Sequence, residues 1–151
     1  MHVAISTFGS RGDVQPFLAL AVGLQQAGHQ VTLVTSHTFS DWIQSYGIDV
    51  RPVDFDPQDA LNHPEMQAFM RKGGNHLRVL RVMREELARA LNLHDEFWEV
   101  VQSADFVVQA STSVGALEAT ELLNIPSAIV HLFPFSTTRE FPSFFLGALR
   151  S

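Results

Sequence analysis

The amino-acid sequence predicts an α/β protein built on an open, doubly wound, mainly parallel sheet. Three observations carry that prediction. Short apolar runs, HVAIST (2–7), QVTLVTS (30–36), DFVVQAS (105–111) and PSAIVHLF (126–133), alternate with segments of helical periodicity. The runs are near-continuously apolar instead of switching between apolar and polar, as strands covered on both faces are. The first run also passes at once into a glycine turn, TFGSRGD (7–13), that leads into an amphipathic helix. Right-handed crossovers wind such units into an open sheet.

Each element has its own warrant. Residues 14–28 place Val14, Phe17, Leu18, Ala21 and Leu24 at the spacing of one buried helical face. Asp13 is placed as its N-cap, Pro16 in its first turn, and Gly28 as its stop. Residues 30–36 are dense in β-branched side chains and read as a strand. A short helix (37–47) ending at Gly47 and a third strand (48–53) follow. The polar stretch 54–66 carries two prolines and is expected to be a loop or irregular turns. From Asn75 to Ser103 a long helical pattern sets Leu77, Leu80, Met83, Leu87, Leu91, Trp98 and Val101 near one stripe, read as core. Arg81, Glu85 and Arg89 stand at four-residue spacing on its wet face, with Arg78 and Arg84. A strand (105–111), a helix (113–124) and a last strand (126–133) complete the order. The tail, 134–151, is rich in proline and phenylalanine and breaks the alternation, as a chain stopping inside a larger architecture would.

Composition bounds the function. A chain of 151 residues, 46% hydrophobic and 17% charged, is expected to form one domain spanning 1–151 with a single sizeable core. A formal charge of −6 and one lysine, Lys72, argue against neutralising nucleic-acid phosphates. The lack of cysteine removes disulfides and thiolate metal sites, and no histidine pair has zinc spacing with an acid partner, so no metal is expected. No window reaches the roughly 18 consecutive apolar residues of a membrane span. A cytoplasmic protein, at most peripheral to a membrane, is the expectation.

In such a sheet, ligands bind beyond the carboxyl ends of the strands. The residues placed there are Phe8, Gly9, Ser10, Arg11, Gly12 and Asp13; Ser36, His37 and Thr38; Ser111, Thr112 and Ser113; and Pro134, Ser136, Thr137 and Thr138. This hydroxyl-rich rim, with one carboxylate and one guanidinium, suits a small or amphiphilic hydroxylated ligand. The glycines allow close approach of a ligand to the backbone, and a helix start adds free amides. The spacing is not that of a dinucleotide fingerprint, and no phosphate-loop G-K-[ST] occurs. From the residues alone Asp13 is either a helix cap or a catalytic carboxylate, and His131 either a packed core histidine or a ligand contact. His37 is equally a helix cap; His63, His76 and His94 are scattered.

The stretch STFGSRGDVQPFLALAVGLQQAGHQVTLVTS resembles the start of the GT-B glycosyltransferases of the UDP-glycosyltransferase superfamily. The nearest groups are the sterol glucosyltransferases and the bacterial enzymes that glycosylate glycopeptide antibiotics, macrolides and related natural products. GALEATELLNIPSAIV and FPFSTTREFP resemble later segments of the same enzymes. The resemblance implies the Rossmann-like N-terminal, acceptor-binding half of a GT-B fold. It implies Asp13 as the general base of an inverting transfer, with Ser10, Arg11 and Gly12 near the donor diphosphate. Acceptor contacts are then expected from Phe8, Ser111, Thr112, His131, Pro134, Thr137, Thr138 and Phe141.

The implied co-substrate is a nucleotide-sugar, UDP- or dTDP-hexose, with no other cofactor. The implied partners are a hydrophobic hydroxylated acceptor, such as a sterol or other lipid, and a C-terminal donor-binding domain in cis or in trans. Nothing in the chain resembles that second half, so the chain alone is expected to be inactive. The alternative is a stand-alone nucleotide- or small-ligand-binding module without transfer chemistry.

Overall fold

The computed structural model describes residues 1–54, 59, 62–64, 66–68, 94–111, 113 and 116–133. The strands delimited among the described residues are β1 (His2–Ser6), β2 (Gln30–Ser36), β3 (Asp49–Val53), β4 (Phe106–Ala110) and β5 (Ser127–Val130). The helices delimited there are α1 (Arg11–Gln26), α2 (Ser40–Gln44), α3 (His94–Gln102) and α4 (Ala116–Leu123), with a 3₁₀ turn at His37–Phe39 before α2. The strand order is β3-β2-β1-β4-β5, and every neighbouring pair is parallel. This is the expected doubly wound sheet.

Alternate residues of the central strands supply two cores. Val3, Ile5, Val31, Leu33 and Val108 face one side, where Val14, Phe17, Leu18 and Ala21 of α1 and Ile43 of α2 pack. Ala4, Val34 and Val107 face the other, against Phe97, Val100 and Val101 of α3 and Ala119 of α4. A strand apolar on both faces is therefore what the packing demands at β1, β2 and β4. The outer strands are less covered; in β5, Ile129 is 47% exposed.

Side chains pin the amino edge of the sheet. The His2 ring bridges the Ser103 carbonyl (2.8 Å) and the Thr32 hydroxyl (2.9 Å), and the His2 backbone N–H donates to Asp105 Oδ2 (2.7 Å). β1 is thus tied to both neighbours at its start. Helix ends are finished by left-handed residues. After α1, Gly28 (φ +87°) donates to Gln25 O and His29 to Leu24 O. After α4, Asn124 (φ +53°) donates to Glu121 O and Ile125 to Thr120 O in the same arrangement. Both are helix stops in which a left-handed residue returns the chain toward the sheet.

Four expectations are corrected. α1 begins at Arg11 with Ser10 as N-cap, so Asp13 is the third helical residue and not the cap. Pro16 accordingly lies in the second turn, where it has no N–H to offer the Gly12 carbonyl four residues earlier. In the expected loop 54–66, the described residues Asp59, Asn62, Pro64 and Met66 are helical, continuing through 67–68, and Gln67 N–H donates to His63 O at 3.0 Å. Pro64 suits the start of a helical turn, where a missing N–H costs nothing, and Met66, Gln67 and Ala68 are good helix formers. Finally, β5 ends at Val130, so His131 lies past the strand and is exposed, not packed in the core. Of the long helical stripe, Val101 is buried and Trp98 half-buried; Leu77, Leu80, Met83, Leu87 and Leu91 lie outside the described residues, as do Arg78, Arg81, Arg84, Glu85 and Arg89.

Candidate functional site

The strand order reverses at β1. The chain leaves it for β2 with α1 on one face, and returns on its other side as β4 with α3 on the opposite face. The carboxyl end of β1 is therefore the topological switch point, where open α/β sheets leave a crevice. The turn 7–13 sits there.

Its anchorage begins in β1. Thr7 N–H extends the ladder to Val34 O (3.1 Å), while Ser113 Oγ donates to Ser6 O (2.7 Å) from the segment after β4. Ser6 Oγ in turn donates to Ser113 Oγ at 3.1 Å. Gln109, in register with Ser6, is buried on β4 with its Nε2 bonded to no described residue. Gly9 then turns the chain at φ +134°, a conformation open to glycine and strained for other residues. Thr7 Oγ1 reaches over the turn to donate to the Asp13 carbonyl at 3.1 Å.

Asp13 is held by its own helix start. Its Oδ2 accepts from the Ser10 N–H (2.7 Å) and from the Ser10 hydroxyl (2.8 Å). This is the reaching-back half of a capping box, strengthened by carboxylate charge and by the positive end of α1. Its carboxyl group also lies on Gly9: a β-carbon there would come within 2.8 Å of Asp13 Cγ. No described residue hydrogen-bonds Oδ1. Among the described residues the half-buried carboxylate is thus fixed through one oxygen only.

Beside it, the Arg11 and Gly12 N–H groups are not hydrogen-bonded by any described residue, whereas those of Asp13 and Val14 close on Ser10 O (2.9 and 3.2 Å). A β-carbon on Gly12 would meet only Ser10 Oγ, at 3.5 Å, so the fold leaves room for a side chain there. Arg11 is exposed and lies over the Trp42 ring of α2, its Cζ 4.5 Å from the ring centroid.

The structure thus brings Ser10, Arg11, Gly12 and Asp13 together in one turn. Phe8 is buried in the second core, beneath that turn. Ser111 is half-buried just past β4, its N–H donating to Val130 O at 3.2 Å. Thr112, Pro134, Thr137, Thr138 and Phe141 lie outside the described residues. His37 opens the 3₁₀ turn, which Ser36 caps, and its Nδ1 stands 3.8 Å from Asp54. One residue of this region escaped the sequence reading, Trp42, signalled only by the three- and four-residue spacing of Phe39, Trp42 and Tyr46; Ser113 stands on the rim expected for it, but its bond to β1 has no local signature. Among the described residues no three His, Asp or Glu side chains group as a metal site would need.

Known proteins resemble the chain along almost all of its length. The profile of the glycosyltransferase family 28 N-terminal domain matches residues 3–142. A sterol 3-beta-glucosyltransferase of Neurospora crassa is 32% identical over 151 residues, covering 97% of this chain and 9% of its own length. The chain spans about a tenth of the length of the curated relatives it matches. Among solved structures, the calicheamicin glycosyltransferase CalG4 superposes with a TM-score of 0.67 at 20% identity, over 95% of this chain and 35% of that one. The Streptomyces sp. SF2575 glycosyltransferase SsfS6, complexed with thymidine diphosphate, gives 0.61 at 21% identity, over 87% and 38%.

Proposed function

The chain belongs to the glycosyltransferase family 28 N-terminal domain family, and on that premise we propose that it forms the acceptor-side half of an inverting glycosyltransferase. The acceptor is a sterol, the acceptor in the names of its relatives, or another hydrophobic hydroxylated lipid. The donor is a UDP- or dTDP-hexose, held mainly by a second domain across the crevice. No helix among the described residues is long and apolar enough to cross a membrane, and a peripheral approach to the lipid acceptor fits this reading.

The observation that carries the reading is the Asp13 carboxylate at the switch point, with Oδ2 occupied by Ser10 and Oδ1 claimed by no described residue. In the proposed reaction Oδ1 takes the proton of the acceptor hydroxyl while that oxygen attacks the anomeric carbon. The bond from the anomeric carbon to the diphosphate oxygen breaks as the new glycosidic bond forms, and the configuration inverts. The leaving nucleoside diphosphate gathers negative charge. The free Arg11 and Gly12 amides, the helix dipole and the Arg11 guanidinium stand where such charge is stabilised.

The test is Asp13→Asn in the full-length enzyme. The amide oxygen can still accept from Ser10, so the fold is kept while the base is lost. Turnover is expected to fall about 10²–10⁴-fold, the usual contribution of a general base, with little change in donor or acceptor KM. A variant that keeps turnover within about tenfold of the parent would overturn Asp13 as the base.

A further inference from the structure

We propose that Trp42 is a positioning residue, whose ring holds the Arg11 guanidinium in place for the anionic donor; the inference rests on the donor reading above. Arg11 Cζ lies 4.5 Å from the centroid of the Trp42 ring. A cation over an indole face is attracted by the ring quadrupole, and a guanidinium can stack flat there with its N–H donors still free at the rim.

The indole is itself fixed. Trp42 is half-buried against the first core, and its ring meets Phe39 edge-on at 6.1 Å and Tyr46 edge-on at 6.5 Å. Those residues stand three before and four after it, on one side of the short α2 region, so the three rings brace one another. The platform stands on one element and the cation on another, at the first residue of α1.

The choice of an aromatic partner has a consequence for charge. No Asp or Glu among the described residues forms an ion pair with Arg11. A carboxylate would have oriented the guanidinium and also cancelled its charge. The indole orients it and leaves the charge whole. A long, exposed side chain with many rotamers is thereby pre-ordered beside the free amides of the α1 start, lowering the entropy cost of gripping a diphosphate.

The test uses the full-length enzyme, with UDP and dTDP as competitive probes beside the nucleotide-sugar. Trp42→Leu is expected to raise the donor KM and the nucleotide inhibition constant by about two- to five-fold, the size of an exposed cation–π contact. The acceptor KM and kcat should move less. Trp42→Phe keeps a ring and should restore most of the loss. In an Arg11→Gln background, Trp42→Leu should add nothing. Should the leucine variant not fold by thermal unfolding, Trp42→Met, which fills irregular gaps, replaces it in the same comparison. A donor KM unmoved by Trp42→Leu, or moved equally with and without Arg11, overturns the positioning role while leaving the donor reading in place. A donor KM unmoved by Arg11→Gln overturns both.

Discussion

A side chain at position 9 would compete with Asp13 for the same space, and would also have to adopt φ +134°. Gly9→Ala is therefore expected to destabilise the fold by about 1–3 kcal/mol, the cost of a residue forced into a sparsely populated backbone region. It should also displace the carboxylate, and a misplacement near 1 Å costs on the order of 10²-fold in rate. Thermal unfolding and steady-state kinetics of the same variant separate the two effects. Ser10→Ala removes only the hydroxyl bond to Oδ2 and keeps the N–H bond. A loss of about 1 kcal/mol, typical for an N-cap, is expected in denaturant unfolding. The sequence showed the ingredients of this turn, a carboxylate between glycines at a strand-to-helix junction. It did not show which job each glycine has, because the contact of Gly9 with Asp13 depends on the path of the turn. That Ser10 and not Asp13 is the cap is hidden in the sequence for a related reason: Ser and Asp both cap well, and only the backbone angles of residue 10 decide between them.

Within α1, two more glycines differ in the same instructive way. Gly12 and Gly23 are both exposed helical residues, and a β-carbon would meet only Ser10 Oγ at 3.5 Å in the first case and nothing within 4 Å in the second. Neither glycine is required by the packing, and each weakens the helix by roughly 0.5–1 kcal/mol relative to alanine. Gly12→Ala and Gly23→Ala should therefore both raise stability by about that amount. Only Gly12→Ala should raise the donor KM, because on the proposed reading it narrows the approach to the free amides. Equal kinetics for the two variants would remove position 12 from the donor site. At this scale the elements themselves were legible, since apolar runs and helical stripes are local in the sequence. What failed was set by tertiary surroundings. The 126–133 run is apolar nearly throughout, yet among the described residues β5 pairs only with β4, and it is finished by Val130. His131 consequently reaches the surface.

For the molecule as a whole, periodicity predicted a parallel sheet but not that β1 would lie at its centre between β2 and β4. Strand order depends on which crossovers form, and no residue encodes that locally. Once the order is β3-β2-β1-β4-β5, the placement of the Asp13 turn at the switch point follows. On the proposed reading, the described residues around Asp13 supply a base on the acceptor side and a guanidinium with two free amides on the other. On that reading the contacts to the nucleotide base and the sugar come from a second domain that closes over the crevice, and effective transfer needs both reactants held in attack geometry. Residues 1–151 alone, incubated with UDP- and dTDP-hexoses and a panel of sterols, are therefore expected to bind sterol in a titration but to yield no glycoside by mass spectrometry. Adding the donor half as a separate polypeptide should restore some product, and Asp13→Asn should abolish it again. Glycoside formed by the isolated chain would mean that donor recognition is complete on this side of the crevice, and the shared-site reading would fall.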